Sequence, residues 1–308
     1  MNKICIIIAG PTATGKTHAA IELARNFNTQ IISADSRQCY TELNAGVAKP
    51  SPLYLNEIHH YFINSHSILQ EVNAKVFENY ALESAASIFK NNDVAIMVGG
   101  TGLYIKAFCE SLDEVPVTDL KLRERISQRF MDNGIEWLQS EIEKNDPLFF
   151  LKGEIQNPQR MVRALEVKYS TGRSILEFQS KNNPCAKPLQ QRYFKIIKLG
   201  MEIPRDKIYL AINNRVDEMM DKDLLAEVNN LLPYRDLNAL QTVGYKELFD
   251  HLEGRISLQK AIEAIKTNTR HYAKRQITWF KKDPEISWFN PADKNEMLGF
   301  IEKKMHSI

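Results

Sequence analysis

Several features that are scarce in this sequence exclude whole classes of protein. No apolar run approaches the ~20 residues that a membrane-spanning helix requires; the run Ile4–Ala9 has six. The net charge is only +2, so overall charge indicates neither a nucleic-acid nor a membrane partner. The four cysteines lie far apart and form no CxxC pair, which disfavours a zinc site. Since we find no secretion signal either, we expect reduced thiols and a cytoplasmic location.

Strand-like and helix-like segments alternate in the first hundred residues. Short apolar runs that are typical of buried strands occupy Lys3–Ala9, Gln30–Ala34 and Asp93–Val98. Amphipathic helical patterns at Thr17–Phe27 and Asn73–Lys90 fall between them. This alternation predicts an α/β fold with a parallel sheet.

The pattern changes in the middle of the chain. From about Thr118 to Lys187 strand patterns disappear, and helices are predicted at Leu120–Asn133, Ile135–Asn145 and Asn157–Thr171. The stretch 182–188 resembles a boundary loop, a strand is predicted again at Tyr193–Met201, and mostly helical patterns follow. We therefore predict an α/β core of residues 1–117 and 188–308, with C-terminal helices, and a helical insertion domain of residues 118–187.

The segment Gly10–Thr17, GPTATGKT, fits the phosphate-loop pattern G-x-x-x-x-G-K-[ST] in full. It lies between a predicted strand and a predicted helix, the context that the pattern requires. Backbone N–H groups of such a loop surround phosphate oxygens, while the Lys adds charge and the Thr hydroxyl binds Mg²⁺. We expect a core like that of the P-loop NTPases, in which a phosphate group contacts Gly10, Pro11, Thr12, Ala13, Thr14, Gly15, Lys16 and Thr17.

The phosphate loop alone favours a nucleotide triphosphatase or a kinase. Many hydrolases of this class carry an Asp at the end of an apolar strand, where it positions Mg²⁺. Here the strand Val94–Val98 ends in glycines instead. Asp35 and Thr101 follow the ends of two predicted strands, and ligands of parallel sheets bind at those ends. Asp35 has a helix-capping alternative, and Thr101 has the alternative of a residue in a glycine turn.

Eight short motifs occur in one order along the chain: GPTATGKT, DSRQCY, GVAKP, HHYF, GGTGLYI, NPQRMVRALEV, QTVGYKEL and TRHYAKRQITWF. In this order they resemble the tRNA dimethylallyltransferase (tRNA isopentenyltransferase) family, in its bacterial type. The resemblance covers nearly the whole chain. The motifs after the phosphate loop are weak singly, but their order is specific. The sequence departs from the family pattern at Val47, where Thr is usual, and at Asp223, where Gly is common.

The resemblance implies a reaction and a set of roles. A dimethylallyl group would move from dimethylallyl diphosphate to N6 of the adenosine at position 37 of tRNA, beside the anticodon. Asp35 would be the general base, and Thr101 would contact the target nucleotide. Lys16, Arg215 and Thr17 with Mg²⁺ would stabilise the departing diphosphate. Arg215 could instead be a solvated helix residue. We expect a monomer with no membrane association, whose partners are tRNA and the prenyl diphosphate.

The resemblance also implies tRNA contacts along much of the chain. The residues are Asp35, Ser36, Arg37, Gln38, Thr101, Arg123, Gln159, Arg160, Met161, Val162, Arg163, Gln241, Thr242, Val243, Gly244, Tyr245, Lys246, Arg270, Lys274, Arg275, Gln276, Thr278 and Trp279. Independently, Lys266, Arg270 and Lys274 recur every four residues in a stretch without acidic residues, which predicts a basic stripe on one helix face. The alternatives to tRNA contact are solvated helix faces for the basic residues, with Arg163 paired to Glu166, and a buried helix for residues 241–246.

Two other functions compete with prenyl transfer. A nucleoside or nucleotide kinase would use the helical insertion as a lid and would transfer the γ-phosphate of ATP. A non-catalytic RNA-binding protein would use the phosphate loop as a switch and would tolerate replacement of Asp35.

Overall fold

A computed structural model describes residues 3–116, 118–179 and 192–307. The chain divides into two compact units, Met1–Cys109 with Arg192–Ile308, and Glu110–Gln191. The insertion was predicted to begin at residue 118, whereas the second unit begins at Glu110. Its predicted end at 187 and the boundary loop at 182–188 lie outside the described residues.

The first unit is built on a six-stranded parallel sheet with strand order β3-β2-β4-β1-β5-β6. Its strands are β1 Ile4–Ala9, β2 Ile31–Ala34, β3 His60–Tyr61, β4 Val94–Gly99, β5 Lys195–Met201 and β6 Ser287–Phe289. The predicted parallel α/β fold is confirmed. Ala9 of β1 and Ala34 of β2 both align with Gly99 of β4, so three strands end side by side.

The helices follow the strands as the alternation predicted. Their bounds are α1 Lys16–Asn26, α2 Pro52–Glu57, α3 Ala74–Ile88, α4 Gly102–Glu110, α5 Leu120–Asn145, α6 Pro147–Lys152, α7 Pro158–Thr171, α8 Arg205–Asp221, α9 Leu224–Leu231, α10 Tyr245–Leu252, α11 Leu258–Phe280 and α12 Lys294–His306. None of the helices in the described ranges is both long enough and apolar enough to cross a membrane.

The core of the first unit explains why the central strands read as uninterrupted apolar runs. All six residues of β1 and of β4 are buried, as expected for parallel strands covered on both faces. Ile6 and Ile8 of β1 belong to the same buried cluster as Ala20 and Leu23 of α1. This packing fixes the start of α1, and therefore the phosphate loop, over the ends of the central strands.

The second unit is helical. Gly134 interrupts α5 with φ 76°, so its two helical parts correspond to the two helices predicted there. Leu138 and Ile142 of α5 pack with Met161 and Leu165 of α7 in its buried core. The unit therefore has a hydrophobic core of its own.

Candidate functional site

The phosphate loop is shaped by a run of left-handed backbone conformations. Gly10 has φ 143°, Ala13 φ 64° and Gly15 φ 81°. A Cβ atom on Gly10 would lie 2.9 Å from the carbonyl oxygen of Met201 on β5, so steric contact as well as φ requires glycine there. Because α1 begins at Lys16, the loop leads directly into a helix N-terminus, which favours a bound anion.

Two cationic side chains lie together at this loop. Burial lowers the pKa of Lys16 to about 7, and the positive charge of Arg215 adds to the effect. The Lys16 ammonium donates a hydrogen bond to the Pro11 carbonyl. Arg215, on α8, donates to Thr12 Oγ1 at 2.9 Å, and burial lowers its pKa. Since both side chains are costly to keep charged here, a bound anion would stabilise them.

Asp35 follows β2 and is held by its own turn. Its Oδ1 accepts hydrogen bonds from the backbone N–H of Arg37 at 2.9 Å and of Gln38 at 3.3 Å. Asp35 therefore caps a turn, and the alternative that it caps a helix is not realised. The carboxylate charge counteracts the lowering of the Lys16 pKa and helps to raise that of Tyr272. Asp35 therefore acts electrostatically on the phosphate loop and on α11.

Thr101 joins the ends of β2 and β4. Its backbone N–H donates to the Ala34 carbonyl at 3.2 Å, and its Oγ1 accepts from the backbone N–H of Ser36 at 3.1 Å. Burial raises the pKa of Tyr272 to about 12; the charge of Asp35 adds to the rise and the Thr101 hydroxyl opposes it. The sequence analysis did not place Tyr272 in the site. Its spacing of four residues from Gln276 on a helix was the available signal.

These elements surround one pocket of about 850 Å³. Its lining includes the phosphate loop from Thr12 to Thr17, Asp35, Gln38, Arg215 and Tyr272. Most of residues 44–52 form another wall. The sequence predicted that the phosphate loop, Asp35 and Thr101 meet at one crevice. The loop and Asp35 line this pocket, whereas at the end of β4 the lining residues include Gly99 and Gly100 but not Thr101.

Gln276, on α11, bridges two parts of this site. Its Oε1 accepts a hydrogen bond from the backbone N–H of Thr12 at 2.8 Å, and its Nε2 donates to the Gly100 carbonyl at 2.8 Å. The side chain is buried. The sequence predicted a tRNA contact for Gln276. In the structure, both the oxygen and the nitrogen of its side-chain amide form hydrogen bonds within the protein.

The other residues predicted to contact tRNA differ in exposure. Met161, Val162 and Tyr245 are buried and pack in the interior, which argues against direct contact between their side chains and RNA. Arg163 donates to Glu166, which is 0% exposed, at 2.9 Å, so the alternative of an Arg163–Glu166 pair is realised. The exposed residues of the set include Arg123, Gln159, Arg160, Gln241, Lys246, Lys274, Arg275, Thr278 and Trp279.

The basic stripe predicted on α11 is shorter than expected. Lys266 has a side chain only 15% exposed, and its ammonium lies 2.7 Å from the Asp217 carboxylate. Arg270 packs its guanidinium over the ring of Tyr209, while Lys274 is exposed. The prediction was wrong for Lys266, because α8 supplies an acidic partner that the local sequence does not contain.

Carboxylates and histidines line the pocket at Asp35, Glu218, His18 and His60, but they do not form a metal-binding cluster. In residues 3–116, 118–179 and 192–307, no cluster of three or more His, Cys, Asp or Glu side chains could hold a metal ion. Thr17 lines the pocket beside Lys16, and a hydroxyl oxygen is a ligand that Mg²⁺ accepts together with phosphate oxygens and waters. The donor set fits a magnesium ion held mainly by a bound diphosphate.

The parallel sheet and the phosphate loop at the strand ends define a P-loop α/β protein. A sequence profile of the IPP transferase family matches residues 38–283. The chain therefore belongs to the IPP transferase family, and it is an enzyme of the transferase class.

Named relatives and solved structures agree with this assignment. The chain is 42% identical over 308 residues to a tRNA dimethylallyltransferase of Christiangramia forsetii, covering 100% of both chains. A solved tRNA isopentenylpyrophosphate transferase of Bacillus halodurans matches with TM-score 0.72 and 30% identity, covering 100% of this chain and 98% of that one. A eukaryotic dimethylallyltransferase acting on tRNA matches with TM-score 0.76 and 26% identity, over 94% of this chain and 74% of that one.

Proposed function

We propose that this protein transfers a dimethylallyl group from dimethylallyl diphosphate to N6 of adenosine 37 in tRNA, releasing diphosphate. The relatives' names supply the reaction class. The observation that carries the proposal is the pocket in which the Lys16–Arg215 pair lines the same space as the fixed carboxylate of Asp35. An anion site and a base are the two groups that this substitution requires.

The anion site would bind the leaving group. As the bond between the allylic carbon and its oxygen breaks, negative charge grows on the diphosphate. Lys16, Arg215 and the loop N–H groups are arranged before the reaction to meet that charge, which is often the largest contribution to a rate enhancement. Their burial, which lowers both pKa values, also strengthens their interaction with a bound anion.

Asp35 would remove the proton that the reaction produces. The N6 lone pair of adenine is delocalised into the ring, and attack on the allylic carbon leaves that nitrogen positively charged. The N6 proton then passes to the Asp35 carboxylate as the C–N bond forms. A positioned base contributes a factor of roughly 10²–10⁴ in rate. The turn bonds to Oδ1 keep this carboxylate in one orientation.

Magnesium would assist at the diphosphate. Thr17 would hold the ion through its hydroxyl, and the ion would neutralise charge on the diphosphate oxygens. Lys16 and Arg215 contribute charge at the same place, so the protein itself supplies part of this neutralisation.

The tRNA would present an unstacked base to Asp35. Base-modifying enzymes extrude their target from its stack, and RNA loops are bound through splayed bases and backbone phosphates. Exposed Lys274 and Arg275 on α11 are the cations that we assign to phosphate contacts. Arg123 and Arg160 in the helical unit are also exposed, and they would have to exchange their ion pairs with Glu166 and Glu154 for phosphate contacts. We further propose a monomer located in the cytoplasm; light scattering tests the first and fractionation of cells the second.

A product assay tests the function. The protein is incubated with Mg²⁺, dimethylallyl diphosphate and an unmodified tRNA that carries adenosine 37, and digested nucleosides are analysed by mass. We expect a gain of one dimethylallyl group on adenosine, and none on a matched tRNA with guanosine 37. A parallel assay supplies ATP in place of the prenyl diphosphate. Consumption of ATP there, without any prenylated nucleoside in the first assay, would favour the kinase. The absence of both reactions would favour an RNA-binding protein.

A further inference from the structure

The carboxylate of Glu227, on α9, binds one loop of the pocket from behind. It accepts hydrogen bonds from three consecutive backbone N–H groups, at 2.9 Å from Asn44, 2.8 Å from Ala45 and 3.3 Å from Gly46. The hydroxyl of Tyr245, on α10, donates a fourth at 2.5 Å. Hydrogen bonds to an ionised acceptor are about twice as strong as neutral ones. Glu227 is therefore the anchor of this stretch of backbone.

Tyr245 supports the same stretch by contact and by charge. Its side chain is fully buried. Burial raises its pKa and the charge of Glu227 raises it further, so the hydroxyl stays protonated and remains a donor. A Cβ atom on Gly46 would lie 2.6 Å from the Tyr245 ring. Only glycine fits between the ring and the loop.

The anchored stretch continues into a wall of the pocket. Asn44, Ala45, Val47, Ala48, Lys49 and Pro50 all line it. Lys49 ties the loop inward by donating to the Tyr40 carbonyl at 2.7 Å and to Asn44 Oδ1 at 3.0 Å. Gln38 donates from Nε2 to the Ala48 carbonyl at 2.7 Å.

Gln38 carries the connection to the proposed base. Its backbone N–H donates to Oδ1 of Asp35 at 3.3 Å, while its side chain holds the anchored loop. Hydrogen bonds therefore join Tyr245 to Glu227, Glu227 to residues 44–46, and Gln38 to both Ala48 and Asp35, with the backbone of residues 46–48 linking the two parts.

We propose that Glu227, with Tyr245, is a positioning residue that holds residues 44–50 as a wall of the pocket and so keeps Gln38 and Asp35 in place. The inference rests on the proposed function. It gives the buried part of the QTVGYKEL motif an internal role, since Tyr245 acts through Glu227 and the loop and contacts no substrate itself.

The first test measures the anchoring without any substrate. Amide hydrogen exchange over residues 42–50 is measured in the wild type and in two variants. Glu227→Gln places an NH₂ group against the loop donors, and Tyr245→Phe removes the hydroxyl but keeps the ring. Glu263→Gln and Tyr234→Phe are matched controls, because both side chains are exposed. We expect at least tenfold faster exchange in Glu227→Gln, a smaller increase in Tyr245→Phe and none in the controls. Unchanged exchange in Glu227→Gln would overturn the anchoring.

The second test measures its consequence. In the prenyl-transfer assay we expect kcat to fall about tenfold or more in Glu227→Gln and about threefold in Tyr245→Phe, since a small misplacement of reacting groups is costly. The Kd for tRNA should stay within twofold, which a general loss of folded protein would not give. Faster exchange with an unchanged kcat would overturn the positioning role. An inactive wild type would refute the proposed function, while the exchange result would still decide the anchoring.

Discussion

The side-chain amide oxygen of Gln276 accepts a hydrogen bond from the backbone N–H of Thr12 at 2.8 Å. A residue of α11 thereby holds the phosphate loop, 264 positions away in the sequence. The other end of the same amide donates to the Gly100 carbonyl. The helix α11 consequently helps to hold the phosphate loop and, with it, the proposed anion site.

Replacing Gln276 should therefore affect the prenyl donor more than the tRNA. Gln276→Leu removes both bonds while keeping a similar volume, so the loop loses its link to the end of β4. We expect the KM for dimethylallyl diphosphate to rise by up to about 30-fold, because two hydrogen bonds worth ~1 kcal/mol each are lost. Steady-state kinetics and a tRNA binding assay check this. Weaker tRNA binding with an unchanged donor KM would restore the predicted tRNA contact.

The Asp35→Asn substitution should separate the role of Asp35 as a base from its role in holding the turn. The Asn side-chain oxygen can still accept the bonds from Arg37 and Gln38, but it cannot take a proton. We expect Asp35→Asn to lower kcat by about 10² or more and to leave tRNA affinity nearly unchanged. Asp35→Ala, which also loses the turn, should be at least as slow. A kcat near the wild-type value in Asp35→Asn would remove Asp35 from the role of base.

Binding of diphosphate should weaken as the pH rises through 7. Below its pKa of about 7 Lys16 is charged in the free protein, and above it the side chain becomes neutral. A bound anion favours the charged form, so binding above pH 7 must take up a proton and loses up to about tenfold in affinity per pH unit. Calorimetry with inorganic diphosphate between pH 6 and 9 measures this, and Lys16→Met corrects for ionisation of the ligand. If the ratio of wild-type to variant affinity is the same at all pH values, Lys16 does not titrate there.

The sequence predicts the local parts of this molecule well and the long-range parts poorly. The apolar run of β1 and the phosphate-loop pattern are local, and both are found where the sequence indicates. The strands β3 and β6 have only two and three residues, too few for a pattern to emerge. The internal roles of Gln276 and Glu227 depend on backbone groups that folding brings together, which no spacing along the chain encodes.

One departure from the family pattern also acquires a physical meaning. Asp223, where the resemblance suggests Gly, has φ 60° and precedes α9. A left-handed conformation costs a residue with a side chain about 1 kcal/mol, although Asp tolerates it better than most residues. Position 223 therefore prefers glycine for its backbone alone.

Arg163 and Arg160 offer a matched comparison in the helical unit. Arg163 bonds to buried Glu166 at 2.9 Å and to Thr118 Oγ1 at 2.8 Å, whereas Arg160 pairs with exposed Glu154. We expect Arg163→Met to lower the free energy of unfolding by about 2 kcal/mol. The buried carboxylate of Glu166 would then lose one of its ion pairs and keep the one with Arg123. Arg160→Met should have little effect on stability. Denaturant titration followed by circular dichroism compares the two, and equal stabilities would show that Glu166 does not need Arg163.

Lys274 and Lys266, two turns apart on α11, should respond differently to salt. Each phosphate contact that is lost reduces the slope of log K against log salt by about 1. Lys274 is exposed and free to reach RNA, so Lys274→Gln should weaken tRNA binding and flatten the slope by about that amount. Lys266 is held by Asp217, so Lys266→Gln should leave the slope unchanged. Titrations of tRNA binding between about 50 and 200 mM salt measure both slopes.

A flatter slope for Lys266→Gln would mean that the stripe predicted from the four-residue spacing forms on the RNA despite the ion pair. An unchanged slope for Lys274→Gln would mean that this face of α11 is solvated and contributes nothing to the affinity.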